Sequence, residues 1–129
     1  MFEAGLVSLL KGNTALMATI EAGPMPVLVP EQTALPCLSY QIVGGGNRYT
    51  LDKTSQQTRA VQLDAWGASY SDCKNITLAL RNLLDCYTGT LTDGTRVLSA
   101  FLTNEIDNWE FDGRSYRITV EYRFQIVEA

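Results

Sequence analysis

The sequence of 129 residues contains no histidine. Histidine is the side chain most often used as a general base, it activates Ser and Cys nucleophiles, and it is the commonest metal ligand. The link GASYSD, at residues 67–72, also lacks the spaced glycines that a phosphate-binding turn between a strand and a helix requires. We therefore expect neither a catalytic site nor a bound cofactor or metal ion.

Basic residues are few. The chain has 10 Lys and Arg against 14 Asp and Glu, which gives a net charge of −4. Neutralisation of phosphates by Lys and Arg supplies most of the affinity of proteins for nucleic acids. Specific binding of free DNA or RNA is therefore not expected.

Long apolar runs are absent as well. No run approaches the roughly 20 residues that span a bilayer, and no basic segment followed by an apolar core marks a signal peptide. We expect no membrane contact and a protein that stays in the compartment where it is made. The three cysteines form no CxxC pair, which predicts free buried thiols in a reducing compartment.

The length fits a single domain, residues 1–129, and residues 59–87 form its clearest unit. Alternation of Val61, Leu63 and Ala65 with polar neighbours predicts a strand. Apolar residues then recur at three- and four-residue steps, which predicts a helix that begins after Ser71 or Asp72 as N-cap. The apolar face of that helix comprises Cys73, Ile76, Leu80, Leu83, Leu84 and Tyr87.

The remaining segments predict short elements around this unit. Residues 1–21 should be one kinked helix or two helices broken at Gly12-Asn13, and residues 92–95 a turn. Residues 51–58 should be either a mobile loop or a hairpin arm that orders only against a partner. An edge strand among prolines is expected at 26–29, and a strand at 36–43 should end in a flexible triple glycine. A third strand, at 96–106, should be central or covered on both faces. Residues 107–113, with a turn at Asp112-Gly113, should join it to a last strand at 114–127.

These elements predict an α+β fold: a mainly antiparallel sheet of four to five strands with two helices packed on one face. The other face should be polar, with cross-strand ion pairing as the expected role of Asp64. The acidic residues Asp107, Glu110 and Asp112 match no calcium-binding loop, so an exposed acidic connection is favoured over a cation site.

The order of segments resembles the tail-completion proteins of long-tailed bacteriophages and prophages, also called tail terminator or tail-to-head joining proteins. The segments that carry the resemblance are LVSLLKGNTALMA, VLVPEQTALPCLSYQIVGGG, RAVQLDAWGASYSDCKNITLALRNLLD and DNWEFDGRSYRITVEYRFQI. Together they cover nearly the whole chain, and none is a catalytic motif.

The resemblance implies a structural protein, not an enzyme, that is assembled in the cytoplasm of a bacterial host and located in the virion. Six copies would form a ring at the head-proximal end of the tail tube, where the ring ends tube growth and joins tail to head. The implied partners are other copies of the chain, the tail tube protein and a head-completion or connector protein. DNA would pass through the lumen without specific binding.

Two alternative functions remain open, the first of which also follows from the resemblance. The chain could be a head-side connector or adaptor that binds the portal complex, or a small α+β ligand-binding module. We expect the ring contacts in the loop of residues 44–58 and on the polar side of the strand at residues 114–125. The predicted interface residues are Gly44, Gly45, Gly46, Arg48, Tyr49, Lys53, Gln62, Asp64, Arg117, Glu121 and Arg123.

Overall fold

The computed structural model describes every residue except 28, 30–32, 50–54, 111–114 and 129. In chain order the elements are α1 (Phe2–Lys11), α2 (Thr14–Met17), β1 (Ala22–Pro26), β2 (Cys37–Tyr49), β3 (Ser55–Gly67), α3 (Tyr70–Leu84), β4 (Gly89–Thr90), β5 (Arg96–Glu110) and β6 (Ser115–Val127).

The strands form one sheet in the order β1-β2-β3-β6-β5-β4. β1 pairs with β2 in parallel, and all other neighbours are antiparallel. The predicted α+β class is confirmed. The predicted four to five strands and two helices are corrected to a mixed sheet of six strands with three helices, because the two-residue β4 is too short to leave an alternating pattern.

The starts of α2 and α3 are set by side-chain caps. Asn13 Oδ1 accepts a hydrogen bond of 2.8 Å from the Leu16 amide, so the predicted break before α2 is confirmed. Ser69 Oγ accepts one of 3.2 Å from the Asp72 amide at the start of α3. The predicted cap, Ser71 or Asp72, is therefore wrong: Ser69 already has the extended backbone that an N-cap requires.

The helices cover one face of the sheet. Val61, Leu63 and Ala65 of β3 are fully buried in one cluster with residues of α3, as the alternation predicted. The Phe2 ring of α1 meets the Phe124 ring of β6 edge to face at 5.4 Å. Each fully buried side chain of this size contributes about 1.5–3 kcal/mol, so this cluster holds the helices on the sheet.

The region around the triple glycine differs from the prediction. β2 continues through it to Tyr49, and Gly44, Gly45 and Gly46 pair with Ala60, Arg59 and Thr58. The predicted flexible loop at these glycines is wrong, because a backbone ladder to β3 needs no side chains. Residues 55–58 form a hairpin arm with β2 of the same chain, so the predictions of a mobile loop and of an arm that orders only against a partner are both wrong there. Residues 50–54, including Lys53, lie outside the described residues.

The two outer strands also differ. β1 is an edge strand as expected, but it ends at Pro26, where the predicted strand began. β5 is not central: the short β4 covers only Arg96 and Val97 on its outer side, and β5 includes residues 107–110, which were predicted as a connection. Two register shifts turn the side chains of β5, which explains why apolar residues appeared on both of its faces. The predicted turn at Asp112-Gly113 lies outside the described residues.

The turn before β5 forms as predicted and binds the N-terminus. Asp93 accepts hydrogen bonds from the Thr95 amide (3.1 Å) and hydroxyl (2.6 Å), and its carboxylate lies 3.1 Å from the N-terminal ammonium of Met1. Burial acts to raise the pKa of Asp93, but the bonds from Thr95 and the ammonium group outweigh it, so the pKa is lowered. The charged carboxylate thus stabilises the fold.

We expect Asp93→Asn to lower the free energy of unfolding by about 1 kcal/mol near neutral pH, because charge-assisted hydrogen bonds become neutral ones. A carboxylate with a lowered folded pKa stabilises above its unfolded pKa of about 3.9 and loses that contribution as the pH falls through its folded pKa. The difference from wild type should therefore shrink in acid, as measured by urea unfolding across this range. Glu128→Gln, at an exposed site, is the control. An equal loss at all pH values would contradict the electrostatic cause.

Candidate assembly surface

The sheet face opposite the helices is built by alternate residues of three strands. Side chains alternate along a strand, so the neighbours of buried Val61 and Leu63 point to this face. β3 and β6 are adjacent, as the prediction required. The facing pairs are Gln62 with Glu121, Asp64 with Thr119, Trp66 with Arg117 and Ala60 with Arg123.

Asp64 is buried on this face, with 7 % of its surface exposed. Its carboxylate accepts a hydrogen bond of 2.5 Å from the Thr119 hydroxyl and one of 3.2 Å from the Gln62 amide group. The predicted cross-strand ion pair is thus corrected, because the residue that faces Asp64 is a neutral threonine. Because it is buried, Asp64 contributes to the packing of the folded chain, whether or not it also lies in an interface.

Trp66 fixes the position of Arg117. The Arg117 guanidinium lies over the Trp66 ring, 5.2 Å from its centroid, and the indole N–H donates a hydrogen bond of 3.3 Å to the hydroxyl of buried Ser39. A cation held over an aromatic face gains about 0.5–2 kcal/mol. The ring and the charge therefore form a preset surface feature across β2, β3 and β6.

Thr119→Val should lower the free energy of unfolding by about 1–3 kcal/mol, because it leaves a buried carboxylate with one donor fewer. Thr103→Val is the matched control: Thr103 also donates its hydroxyl, to the Glu121 carbonyl at 3.0 Å, but its side chain is exposed. Its cost should stay within about 0.5 kcal/mol. Urea unfolding of both variants measures the difference, and equal costs would argue against a stabilising role for the Asp64 network.

The other predicted interface residues lie further along the same sheet. Gly44, Gly45 and Gly46 are exposed, and Gly44 is in register with Ala60 and, one strand further, with Arg123. Arg48 and Tyr49 also belong to β2, but the structure does not describe their side chains. The fold thus connects the two predicted groups through one continuous face.

An exposed aromatic cluster was missed by the sequence prediction. Trp109 and Tyr116 meet edge to face at 4.7 Å, and Tyr70 meets Tyr116 at 6.1 Å. Each is at least 36 % exposed, and the Tyr70 hydroxyl donates a bond of 2.8 Å to Asp107. Aromatic residues of this kind are enriched in the energetic centres of interfaces. Trp109, within the acidic segment DNWEFD, was the signal that could have indicated it.

The cysteines differ in burial. All three cysteines are free thiols; burial raises the pKa of Cys37 and Cys73 to about 11, so both are protonated at neutral pH. Cys86 is exposed, which corrects the expectation that all three thiols are buried. In the described part of the chain there is no cluster of three or more Cys, Asp or Glu able to hold a metal ion. Likewise, none of the helices within those ranges is long and apolar enough to cross a membrane.

Comparison with known proteins identifies a family model that matches the chain and a solved structure with a similar fold. The family model described as "Tail completion protein gp17" matches residues 4–126. Among solved structures, a chain of the "Virion of native gene transfer agent (GTA) particle" superposes with a TM-score of 0.70 at 13% identity, over 96% of this chain and 92% of that chain. At that identity the likeness concerns the fold alone. A search of curated proteins finds no match.

Proposed function

Because the chain belongs to the tail completion protein gp17 family, we propose that it forms a ring of six copies at the head-proximal end of a phage tail tube. The ring ends polymerisation of the tube protein and joins the tail to the head through a connector protein. This role is structural and involves no catalysis. The observation that carries the proposal is the family match across residues 4–126.

The charge of the polar sheet face supports passage of DNA through such a ring. Asp64 and Glu121 offset Arg117 and Arg123 on this face, and the whole chain is acidic at −4. A channel lined by this face would not retain phosphates as a basic channel would. The mixed charges also suit contacts between copies, where alternating signs fix register.

The similar solved chain supports a place in the virion. It comes from a gene transfer agent particle, and its fold covers nearly all of this chain. A protein with the same fold is therefore a component of such a particle. For this chain, we propose a position at the head-proximal end of the tail.

Electron microscopy of tails assembled with and without the protein tests the proposal. We expect a ring at one end of each tube and tubes of defined length when the protein is present. Without it, tubes should continue to grow. Mass measurement of the chain, alone and mixed with tubes, should give six copies per ring. A persistent monomer that leaves tube length unchanged would exclude this function.

Separate binding experiments with the purified tube and the portal complex distinguish the head-side alternative. A tail terminator binds tube ends, whereas an adaptor binds the portal complex and ignores the tube. Binding to the portal complex alone would replace the proposed role with the adaptor role.

A further inference from the structure

One border of the sheet is only half covered. β1 accompanies β2 as far as Tyr40, whose carbonyl accepts a hydrogen bond of 2.8 Å from the Val27 amide. Beyond this point, no strand among the described residues lies outside residues 41–49, which we term the β2 open edge. Unpaired backbone N–H and C=O groups on such an edge are a template for another strand.

The opposite border is half covered in the complementary way. β4 covers the start of β5, the Cys86 amide donates a bond of 2.7 Å to the Ala100 carbonyl, and the Leu102 amide donates one of 3.2 Å to Asp85. Beyond Leu102, no segment among the described residues pairs with the outer side of β5. Residues 103–110 form the β5 open edge.

Backbone geometry shows which amides of the β5 open edge point outward. Leu102 N–H points outward, because it bonds to Asp85. The register shift between Leu102 and Asn104 then moves the outward positions to odd-numbered residues. In agreement, the Glu105 amide bonds at 3.0 Å to the side chain of its own neighbour, Asn104. A side chain there occupies the place that a pairing strand would take.

We propose that the β2 open edge of one copy pairs with the β5 open edge of the next copy, so that the sheets of the ring join into one. The inference rests on the proposed ring function and names its contact. Three antiparallel steps separate β2 from β5, so the two strands run in opposite directions. A copy added with the same face inward therefore forms an antiparallel ladder. The contact is head-to-tail, and a head-to-tail contact generates rings when the rotation closes.

The two edges complement each other in shape. Charge does not decide the match, because Glu105 of the β5 open edge already pairs with Lys74 and Arg81 of α3, at 3.5 and 3.6 Å. The β2 open edge is built around Gly44, Gly45 and Gly46. Its three glycines leave backbone without side chains, against which the half-exposed Ile106 of a neighbour can lie. The β2 open edge of one copy thus fits the β5 open edge of the next better than it fits a second β2 open edge, because two glycine-rich stretches offer each other no side chain to pack.

The stagger of the two edges suits a closed sheet. Gly45 lies in the middle of the β2 open edge. It pairs with Arg59, which pairs with Phe124, which pairs with Ala100 of β5, so Gly45 and Ala100 lie at the same height in the sheet. The middle of the β5 open edge lies about six residues further, which is about 20 Å at 3.3 Å per residue. Four strands spaced about 4.8 Å apart are about 19 Å wide, so the strands tilt by about 45° to the ring axis. Strands in closed barrels tilt by about 35–45°.

Disulfide capture between separately labelled copies tests the pairing. In the full chain with Cys86→Ser, one preparation carries Gly46→Cys, where an added Cβ has no heavy atom within 4 Å. The other carries Ile106→Cys or Asn108→Cys on the same face of the β5 open edge. The matched control is Phe101→Cys, which is exposed on the same strand but level with the covered part of the border.

After mixing under an added oxidant, with tail tubes present, the two edge preparations should form disulfide-linked dimers. The yield should exceed that with the control by about tenfold, because paired strands hold the thiols at high effective concentration. Each preparation alone should give no dimer. The doubly substituted chain should give a ladder up to the full ring.

Failure of the pairing and failure of the function give different results. Rings seen by electron microscopy without edge dimers would overturn the pairing and leave the ring function standing. Edge dimers without rings would support the pairing and overturn the ring. Dimers that form equally well with Phe101→Cys would show random collision and overturn the pairing.

Discussion

Gly23→Ala is expected to detach β1 from the sheet and to lower the free energy of unfolding by about 3 kcal/mol or more. Gly23 has φ of +105°, a region that side chains rarely adopt. A Cβ at this position would also collide with the Leu38 carbonyl oxygen. That atom belongs to the backbone of β2, so it cannot rotate away. The substitution therefore combines backbone strain with a backbone collision.

The same substitution should expose more of the sheet border. β1 covers β2 from Cys37 to Tyr40, and its loss would extend the β2 open edge by the same stretch. Hydrogen exchange should accelerate in residues 37–40, and the chain should associate with itself at lower concentration, because uncovered strand edges pair.

Gly46→Ala is the matched control for Gly23→Ala. It lies in the neighbouring strand, and its added Cβ meets nothing within 4 Å. In urea unfolding, the free energy of unfolding of this control should stay within about 0.5 kcal/mol of wild type. Its hydrogen exchange should be unchanged. If Gly23→Ala behaved like the control, the account of the β1 border would be wrong.

Strong periodicity explains the parts of the fold that the sequence predicted well. In β6 five alternate side chains are buried, and in β3 three are, so each strand has one register that buries its apolar face. The helix α3 follows the same logic at a period of 3.6. In these segments the apolar pattern alone specifies the buried face, and the tertiary contacts are consistent with it.

The errors fall where backbone pairing decides the structure without help from side chains. The triple glycine has no pattern, yet β3 gives it a ladder, so β2 runs on to Tyr49. In β5 two one-residue shifts exchange the faces, which no fixed period can anticipate. The border positions of β1 and β5 depend on which strands meet, and that is a property of the whole topology.

The candidate surface was predicted in part for the same reasons. Adjacent strands bring Gln62, Asp64, Arg117 and Glu121 together, as expected from alternation. Burial of Asp64 was not predictable, because it depends on Thr119 and on the surrounding side chains. Whether these residues meet a neighbouring copy remains a prediction, which the proposed ring makes testable.

Gly5→Ala should lower the free energy of unfolding by about 2–3 kcal/mol, through overpacking between α1 and the turn before β5. An added Cβ would lie 2.5 Å from Asp93 Oδ1 and 2.8 Å from the Leu91 Cβ. Asp93 cannot move freely, because Thr95 and the N-terminal ammonium hold its carboxylate. Displacement of α1 would also disturb the buried Phe2 and Leu6.

Gly12→Ala, at the residue that caps the C-terminal end of α1, is the control. Its backbone is right-handed helical, with φ of −76°, and the nearest atom to an added Cβ is the Ser8 carbonyl oxygen at 3.2 Å. Alanine at such a position costs little or stabilises by about 0.4–1 kcal/mol, because it restricts the unfolded chain. Thermal or urea unfolding should separate the two glycines clearly.

A double-mutant cycle identifies which collision dominates at Gly5. In an Asp93→Ala background the Oδ1 atom is absent, while the Leu91 contact remains. The cost of Gly5→Ala should then fall by about 1 kcal/mol or more, since residues in contact couple by about 0.5–3 kcal/mol. An unchanged cost would assign the collision to Leu91, and the carboxylate would then be a bystander to the packing of α1.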